Sequence, residues 1–131
     1  GALIADTLDS LGLRGAVLEA GLEFPVGVGG SRLSAGQRQK IGIARALLKQ
    51  PEMMVFNEAT SALDPSAQDR LTENILKARD RHGVVWIVNR AGMTSKFERV
   101  IILDDGRMIE DGTYDGLDKD GTALRRLLDS A

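Results

Sequence analysis

Met53-Met54-Val55-Phe56-Asn57-Glu58, followed by Asp64-Pro65 and then by Val84-Val85-Trp86-Ile87-Val88, is the stretch that decides the fold. Its first four residues form a short continuous apolar run, the pattern of a strand covered on both faces. Asp64 before Pro65 reads as a helix start, with aspartate as the cap and proline at the first helical position. Leu71, Ile75 and Ala78 then share one stripe of a helix that runs to about Asp80. Val84 to Val88 reads as a second buried strand. Strand, helix and strand in this order predict a parallel βαβ unit with a right-handed crossover. Asn57-Glu58 and Asn89-Arg90 then fall at the carboxyl edge of the sheet, where open α/β folds bind ligands.

Upstream, Ser34-Ala35-Gly36-Gln37 has the Ser-x-x-Gln form of a capping box, and Ile41, Ala44 and Leu48 follow at helical spacing. Gln50-Pro51 ends this helix, because the residue before proline is pushed out of the α region. Phe24 to Gly30 holds Pro25, Gly27, Gly29 and Gly30 and reads as a loop. Leu3 to Leu22 predicts two short helices with a break at Gly12. Downstream, Val100 to Leu103 and Arg107 to Glu110 flank Asp104-Asp105-Gly106, a hairpin signal. Leu117, Leu124, Leu127 and Leu128 predict a terminal helix. No internal repeat or low-complexity tract is present.

The chain has 131 residues, 43% apolar and 27% charged, the size of one ordinary domain. Its net charge of -2 implies no general attraction to nucleic acid or an anionic membrane. With no cysteine and a single histidine, His82, thiolate metal sites, cysteine catalysis and multi-histidine metal sites are excluded. The longest apolar run is strand-sized, so the chain is expected to be soluble, and its start lacks the pattern of a signal peptide. A chain opening at Gly1 on a helical segment reads as an excised piece of something longer. Charge is nonetheless unevenly spread. Arg32, Arg38, Lys40, Arg45 and Lys49 gather with no acid around the capped helix start, whereas Glu98 to Asp120 carries an acidic, solvated surface.

Three constellations are able to carry chemistry. Around Leu33-Ser34-Ala35-Gly36-Gln37, unsatisfied helix N–H groups, a glycine permitting close approach and a serine hydroxyl are the parts of an anion site. The plainer reading is a well-capped helix after a glycine-rich loop. Glu58, just after a strand, is able to hold and polarise a water as a general base, or is an ordinary exposed loop glutamate. Asn89 and Arg90 either extend a site at the same sheet edge or are a turn residue and a surface ion pair.

In this order and spacing the three constellations resemble the C-terminal part of the nucleotide-binding domain of an ABC transporter, over about Gly21 to Leu128. Leu33-Ser34-Ala35-Gly36-Gln37-Arg38-Gln39 resembles the family signature LSGGQ-R-Q, and Met53 to Glu58 resembles the Walker B strand. Ala59 to Asp64 is similar to the D-loop, Val84 to Arg90 to the switch strand and loop, and Arg99 to Thr113 to the closing hairpin. Alanine at position 59 is closer to exporters than to importers. The resemblance implies an α/β fold, part of a P-loop NTPase-like architecture. Its parts would be the signature helix of the helical subdomain in about residues 1–50, then a parallel βαβ core with a C-terminal hairpin and helix in 51–131. It further implies that ATP and Mg2+ serve the complete parent, and that the partners are a second nucleotide-binding domain, in a homo- or heterodimer, and a transmembrane domain. Nucleic acid is not an implied partner. The parent would work at the cytosolic face of the membrane.

By the same resemblance, Ser34, Gly36 and Gln37, flanked by Leu33 and Ala35, would face the γ-phosphate of ATP bound by the partner domain. Glu58 would polarise the attacking water, and Ser61, Ala62, Leu63 and Asp64 would join the two sites. The departures matter as much. No G-x-x-x-x-G-K-[ST] motif occurs in the 131 residues. Asn57 stands where the family has an aspartate on the magnesium shell, and a neutral amide holds that cation more weakly. Asn89 replaces the histidine that contacts the γ-phosphate, and Ala35 replaces a glycine. These changes predict a degenerate Walker site beside a nearly intact signature, no stable ATP or Mg2+ binding and no ATPase from this chain alone. They also admit a second reading, a regulatory or dimerisation module. The sheet edges left open by a missing phosphate-loop strand are expected to invite association.

Overall fold

The computed structural model describes residues 2–78 and 83–130, which divide into two compact units, Gly1–Ile87 and Val88–Ala131. In the first, α1 (Ala2–Ser10) and α2 (Arg14–Ala20) are the two short helices predicted, broken where Gly12 takes φ 62°. A 3-10 turn at Val28–Gly30 lies within the glycine-rich loop, and α3 (Ala35–Leu48) follows. It stops with Lys49 as its C-cap. The next residue, Gln50, adopts φ 48°, left-handed rather than the extended form expected before proline. That conformation ends the helix as an αL cap, with the Gln50 N–H donating to Leu47 O at 3.0 Å.

Strands β1 (Met53–Asn57) and β2 (Gly83–Ile87) flank α4 (Pro65–Ala78) and pair in parallel, with Met54 opposite Val84 and Phe56 opposite Trp86. Asp64 caps α4 through the Ala67 N–H at 3.0 Å, as the Asp-Pro pair predicts. The proposed extension of this helix to Asp80, and His82, lie outside the described residues. Leu71 and Ile75 bury the stripe of α4 in a core with Leu11, Leu13, Ile43, Ala44, Met54 and Phe56. The Phe56 and Trp86 rings, 4.5 Å apart and tilted, sit on the same side of the sheet.

The expectation that both strands are covered on both faces is not met. In β1, Met54 and Phe56 are buried while Met53 and Val55 are 63% and 65% exposed, and β2 leaves Val85 and Ile87 half exposed. Side chains alternate between faces along a strand, and only one face packs against the helical core. The described sheet has two strands, so one edge of each is unpaired there. An apolar run reports that both sets of side chains are hydrophobic, not that both have something to pack against.

The second unit contains the predicted hairpin, β3 (Val100–Asp104) and β4 (Arg107–Gly112), antiparallel with an irregularity at Ile102/Leu103. Asp105 and Gly106 have φ of 44° and 72°. Two successive positive φ values match the twist of a two-residue hairpin turn. The Arg99 guanidinium binds both oxygens of Asp111 and holds that carboxyl below its ordinary value, chiefly through the hydrogen bond. The resulting stabilisation exists above the ordinary carboxylate range and fades as pH falls through the lowered value. It is small, because the pair is solvent-exposed.

The single terminal helix predicted from four leucines is two: α5 (Tyr114–Leu117) and α6 (Ala123–Asp129). Gly121 at φ 86° separates them, and Thr122 caps α6 by accepting from the Arg125 N–H at 3.1 Å. Leu117 therefore belongs to a different helix from Leu124, Leu127 and Leu128. Glu110 of β4 fixes the start of α6, its carboxylate accepting the Ala123 N–H and, at 3.0 Å, the Leu124 N–H. Ala123 and Leu124 are buried, so water replaces that acceptor poorly. Glu110→Ala is expected to destabilise this unit by about 1–3 kcal/mol, the cost of unsatisfied buried donors. Amide exchange at Leu124 checks it: protection unchanged in the variant would show that the carboxylate does not hold α6.

No described helix is long and apolar enough to cross a membrane.

Candidate functional site

The site is built around the start of α3. Ser34 is extended, at φ -65° and ψ 159°, and its Oγ accepts the Gln37 N–H at 3.1 Å. The Gln37 side-chain oxygen returns to accept the Ser34 N–H at 2.9 Å, completing the predicted capping box. The first amides of a helix have no carbonyl within it. Those of Ala35 and Gly36 are left, among the described residues, without a protein acceptor. Ser34 accepts in the cap, so its hydroxyl proton stays available to donate.

Of the five basic residues from Arg32 to Lys49, Arg45 and Lys49 lie at the far end of α3, in its last turn and at its C-cap, and two nearer its start are engaged by the loop that precedes it. Arg38 Nη1 donates to Leu33 O at 2.7 Å and to Gly30 O at 3.4 Å. Arg32 donates to Pro25 O at 3.2 Å and lies over the Phe24 ring, 5.7 Å from its centroid. The charge read from the sequence as gathering at an anion site is therefore partly spent in folding Phe24 to Leu33 onto itself. Gly27 and Gly30, at φ 79° and 73°, supply the backbone shape this needs.

Asn57 ends β1, exposed, and Glu58 follows at φ 48° with its N–H donating to Ile87 O at 2.9 Å. A left-handed glutamate is strained backbone, and here the parallel neighbour strand holds it while the carboxylate stays exposed. The chain then turns tightly, with the Ser61 N–H on Glu58 O and the Leu63 N–H on Thr60 O, both at 3.0 Å. Two glutamines fasten this turn. Gln68 of α4, 5% exposed, donates to Thr60 O and Leu63 O at 3.0 and 3.1 Å. Gln39 of α3 donates to Ser61 Oγ at 3.0 Å and accepts the Ala62 N–H at 2.9 Å.

The structure thus brings Leu33 to Gln37 and Ser61 to Asp64 together. A Cβ on Gly36 would come within 2.8 Å of Leu63 Cδ2. Asn57 and Glu58 occupy the carboxyl edge of the sheet in the same unit. Asn89, exposed, belongs to the second unit and precedes the 3-10 turn Ala91–Lys96. The roles of Gln39 and Gln68 were not apparent in the sequence. Gln68 left a signal, as a polar residue on the stripe that Leu71 and Ile75 continue. Gln39 left only its place in the motif.

Among the described residues no group of three or more acidic or histidine side chains is placed to hold a metal. Glu58 and Asn57 offer one carboxylate and one neutral amide oxygen, a weak set for Mg2+, which is held by one or two carboxylates together with water and substrate phosphates.

A parallel βαβ unit with polar residues at its carboxyl edge, beside a capped, glycine-bearing helix start, is the arrangement of part of an α/β fold of P-loop NTPase-like type. The family model described as ABC transporter matches residues 5–61, from α1 to the turn after β1. The chain is 41% identical over 97 residues, 74% of its length, to the heterocyst differentiation ATP-binding protein HepA of Nostoc sp., covering 16% of that protein. It is 39% identical over 109 residues, 83% of its length, to the β-(1→2)glucan export ATP-binding/permease protein NdvA of Agrobacterium vitis, covering 19% of it. A solved bacterial Atm1-family ABC exporter with ATP bound superposes with a TM-score of 0.87 at 23% identity, over 98% of this chain and 23% of that one. The chain belongs to the ABC transporter family, as a fragment of an exporter nucleotide-binding domain. It spans less than a fifth of the length of these two relatives.

Proposed function

We propose that this chain supplies the signature half of a composite ATP site in an exporter. Ser34, Gly36 and Gln37, flanked by Leu33 and Ala35, face the γ-phosphate of ATP held by a second nucleotide-binding domain, identical or different. The observation that carries this is the start of α3: amides at Ala35 and Gly36 with no acceptor among the described residues and a Ser34 hydroxyl proton available to donate, beside a fastened Ser61–Asp64 turn. Backbone amides at the positive end of a helix stabilise phosphate charge. Ser61 to Asp64 meet the second domain, and Asp64 links the two sites. The assembled protein couples ATP binding and hydrolysis to export through a membrane domain, with this part at the cytosolic face.

At the chain's own edge, Glu58 is the carboxylate able to hold and polarise a water, with Asn89 at the switch position. Asn57 makes the magnesium position weak, and these 131 residues hold no phosphate-loop lysine. A second reading, in which the chain is a non-hydrolytic regulatory or dimerisation module that completes only its partner's site, is favoured by the pair Asn57 and Asn89. Both readings give the signature the same task. Titration calorimetry of MgATP into the 131-residue chain is expected to show no saturable binding below about 1 mM and no ATPase. Micromolar, magnesium-dependent binding would overturn the assignment of ATP to the partner.

A further inference from the structure

We infer that Gln39 is a positioning residue that makes the start of α3 and the turn after β1 move as one body. The inference rests on the proposed role of those two segments as the faces presented to a second domain.

The two segments belong to different elements, joined by the rest of α3 and by β1. Each would fold locally without the other: Ser34 and Gln37 cap each other, and Asp64 caps α4. One amide group couples them through hydrogen bonds. The Gln39 side chain uses its Nε2 donor on Ser61 Oγ at 3.0 Å and its Oε1 acceptor on the Ala62 N–H at 2.9 Å. A primary amide is the group that offers a donor and an acceptor side by side, so its plane fixes the turn in two directions at once. Gly36, one turn before Gln39 on α3, adds the steric half of the coupling. Its missing side chain lets Leu63 approach to where a Cβ would stand at 2.8 Å, with Ala62 O at 3.7 Å. From the other side, buried Gln68 ties Thr60 O and Leu63 O to α4. The turn is thus gripped between α3 and α4, and the Gln39 bonds connect it to the signature helix.

Such a grip has a consequence for a composite site. Two surfaces that must meet a partner together lose less freedom on docking if they are already held in their bound relation. A ligand that orders one of them also orders the other.

The test is amide hydrogen exchange and proton–nitrogen NMR on the 131-residue chain without nucleotide, comparing wild type, Q39L and Q39E. Leucine keeps the side-chain bulk and removes both bonds. Glutamate restores both, because its carboxylate accepts the Ala62 N–H and a proton donated by the Ser61 hydroxyl. Q39L is expected to speed exchange at Ala62 roughly tenfold while exchange at core amides such as Ile75 stays unchanged, and Q39E is expected to restore it. S34A, which loosens the start of α3, is expected to shift the Ala62 and Leu63 amide resonances much more in the wild-type background than in Q39L, where only the Gly36–Leu63 packing remains. A merely local or global stabilising role would not produce that dependence. The inference is overturned if Ala62 exchanges equally fast in wild type and Q39L, or if S34A shifts those resonances equally in both backgrounds. Because no nucleotide or partner is present, failure here leaves the proposed ATP role standing. Failure of ATP-dependent pairing with this NMR result intact condemns the proposed role and not the coupling.

Discussion

Phe56→Ala is expected to be strongly destabilising to the first unit. Phe56 is 4% exposed, within the core that includes Leu11, Ile43, Met54, Leu71 and Ile75, and its ring packs 4.5 Å from that of Trp86. Removing a buried phenyl ring costs about 3–5 kcal/mol, the lost transfer energy plus the cavity left behind. Domains have only about 5–15 kcal/mol in total. This unit leaves Met53, Val55, Val85 and Ile87 exposed on the other face of its sheet, so part of its apolar surface contributes no burial. Trp86, the only tryptophan, lies at the site of change and serves as the fluorescence probe in a urea titration. Val55→Thr, on the exposed face of the same strand, is the control, with an expected change within about 0.5 kcal/mol. Equal shifts for the two variants would show that the two faces of β1 do not differ in burial.

Gly36→Glu is expected to abolish ATP-dependent pairing with a second nucleotide-binding domain, by at least about tenfold in affinity, while leaving α3 intact. The two effects have opposite electrostatic signs. A carboxylate in the first turn of a helix is favourable to the helix, since it meets the positive end of the dipole and the unsatisfied amides. The same charge faces the phosphates that the proposal brings to those amides. The added side chain also takes the space into which Leu63 packs, although Leu63 Cδ2 is the end of a flexible side chain and moves at modest cost. A structural role for the capped start predicts unchanged or improved stability and unchanged pairing. A phosphate-facing role predicts unchanged stability and lost pairing. Circular dichroism and light scattering on the same sample separate them.

What was legible in the sequence was what short-range chemistry specifies. Ser34 and Gln37 cap each other across three residues, Asp64 and Pro65 start α4 as neighbours, and Asp105-Gly106 turns the hairpin through its own backbone angles. The parallel pairing followed from the order of β1, α4 and β2. The one-sided burial of the sheet did not, because Val55 and Phe56 are equally apolar and only tertiary packing separates them. The terminal leucines at 117, 124, 127 and 128 suggested one helix, and Gly121 with its positive φ divided it. At the candidate site, the motif marked Leu33 to Gln37 and Ser61 to Asp64, but the bonds joining them pass through Gln39 across more than twenty residues. The engagement of Arg32 and Arg38 with loop carbonyls was likewise invisible in a count of charges.

The central claim is that these residues complete an ATP site whose phosphates another domain holds. The most direct measurement mixes the 131-residue chain with an exporter nucleotide-binding domain that has an intact phosphate loop and its catalytic glutamate changed to glutamine. The mass of the complex is then followed by light scattering with and without MgATP. The expected result is a one-to-one complex that forms only with MgATP and is lost in Gly36→Glu. A complex indifferent to ATP, or no complex with ATP present, would contradict the account.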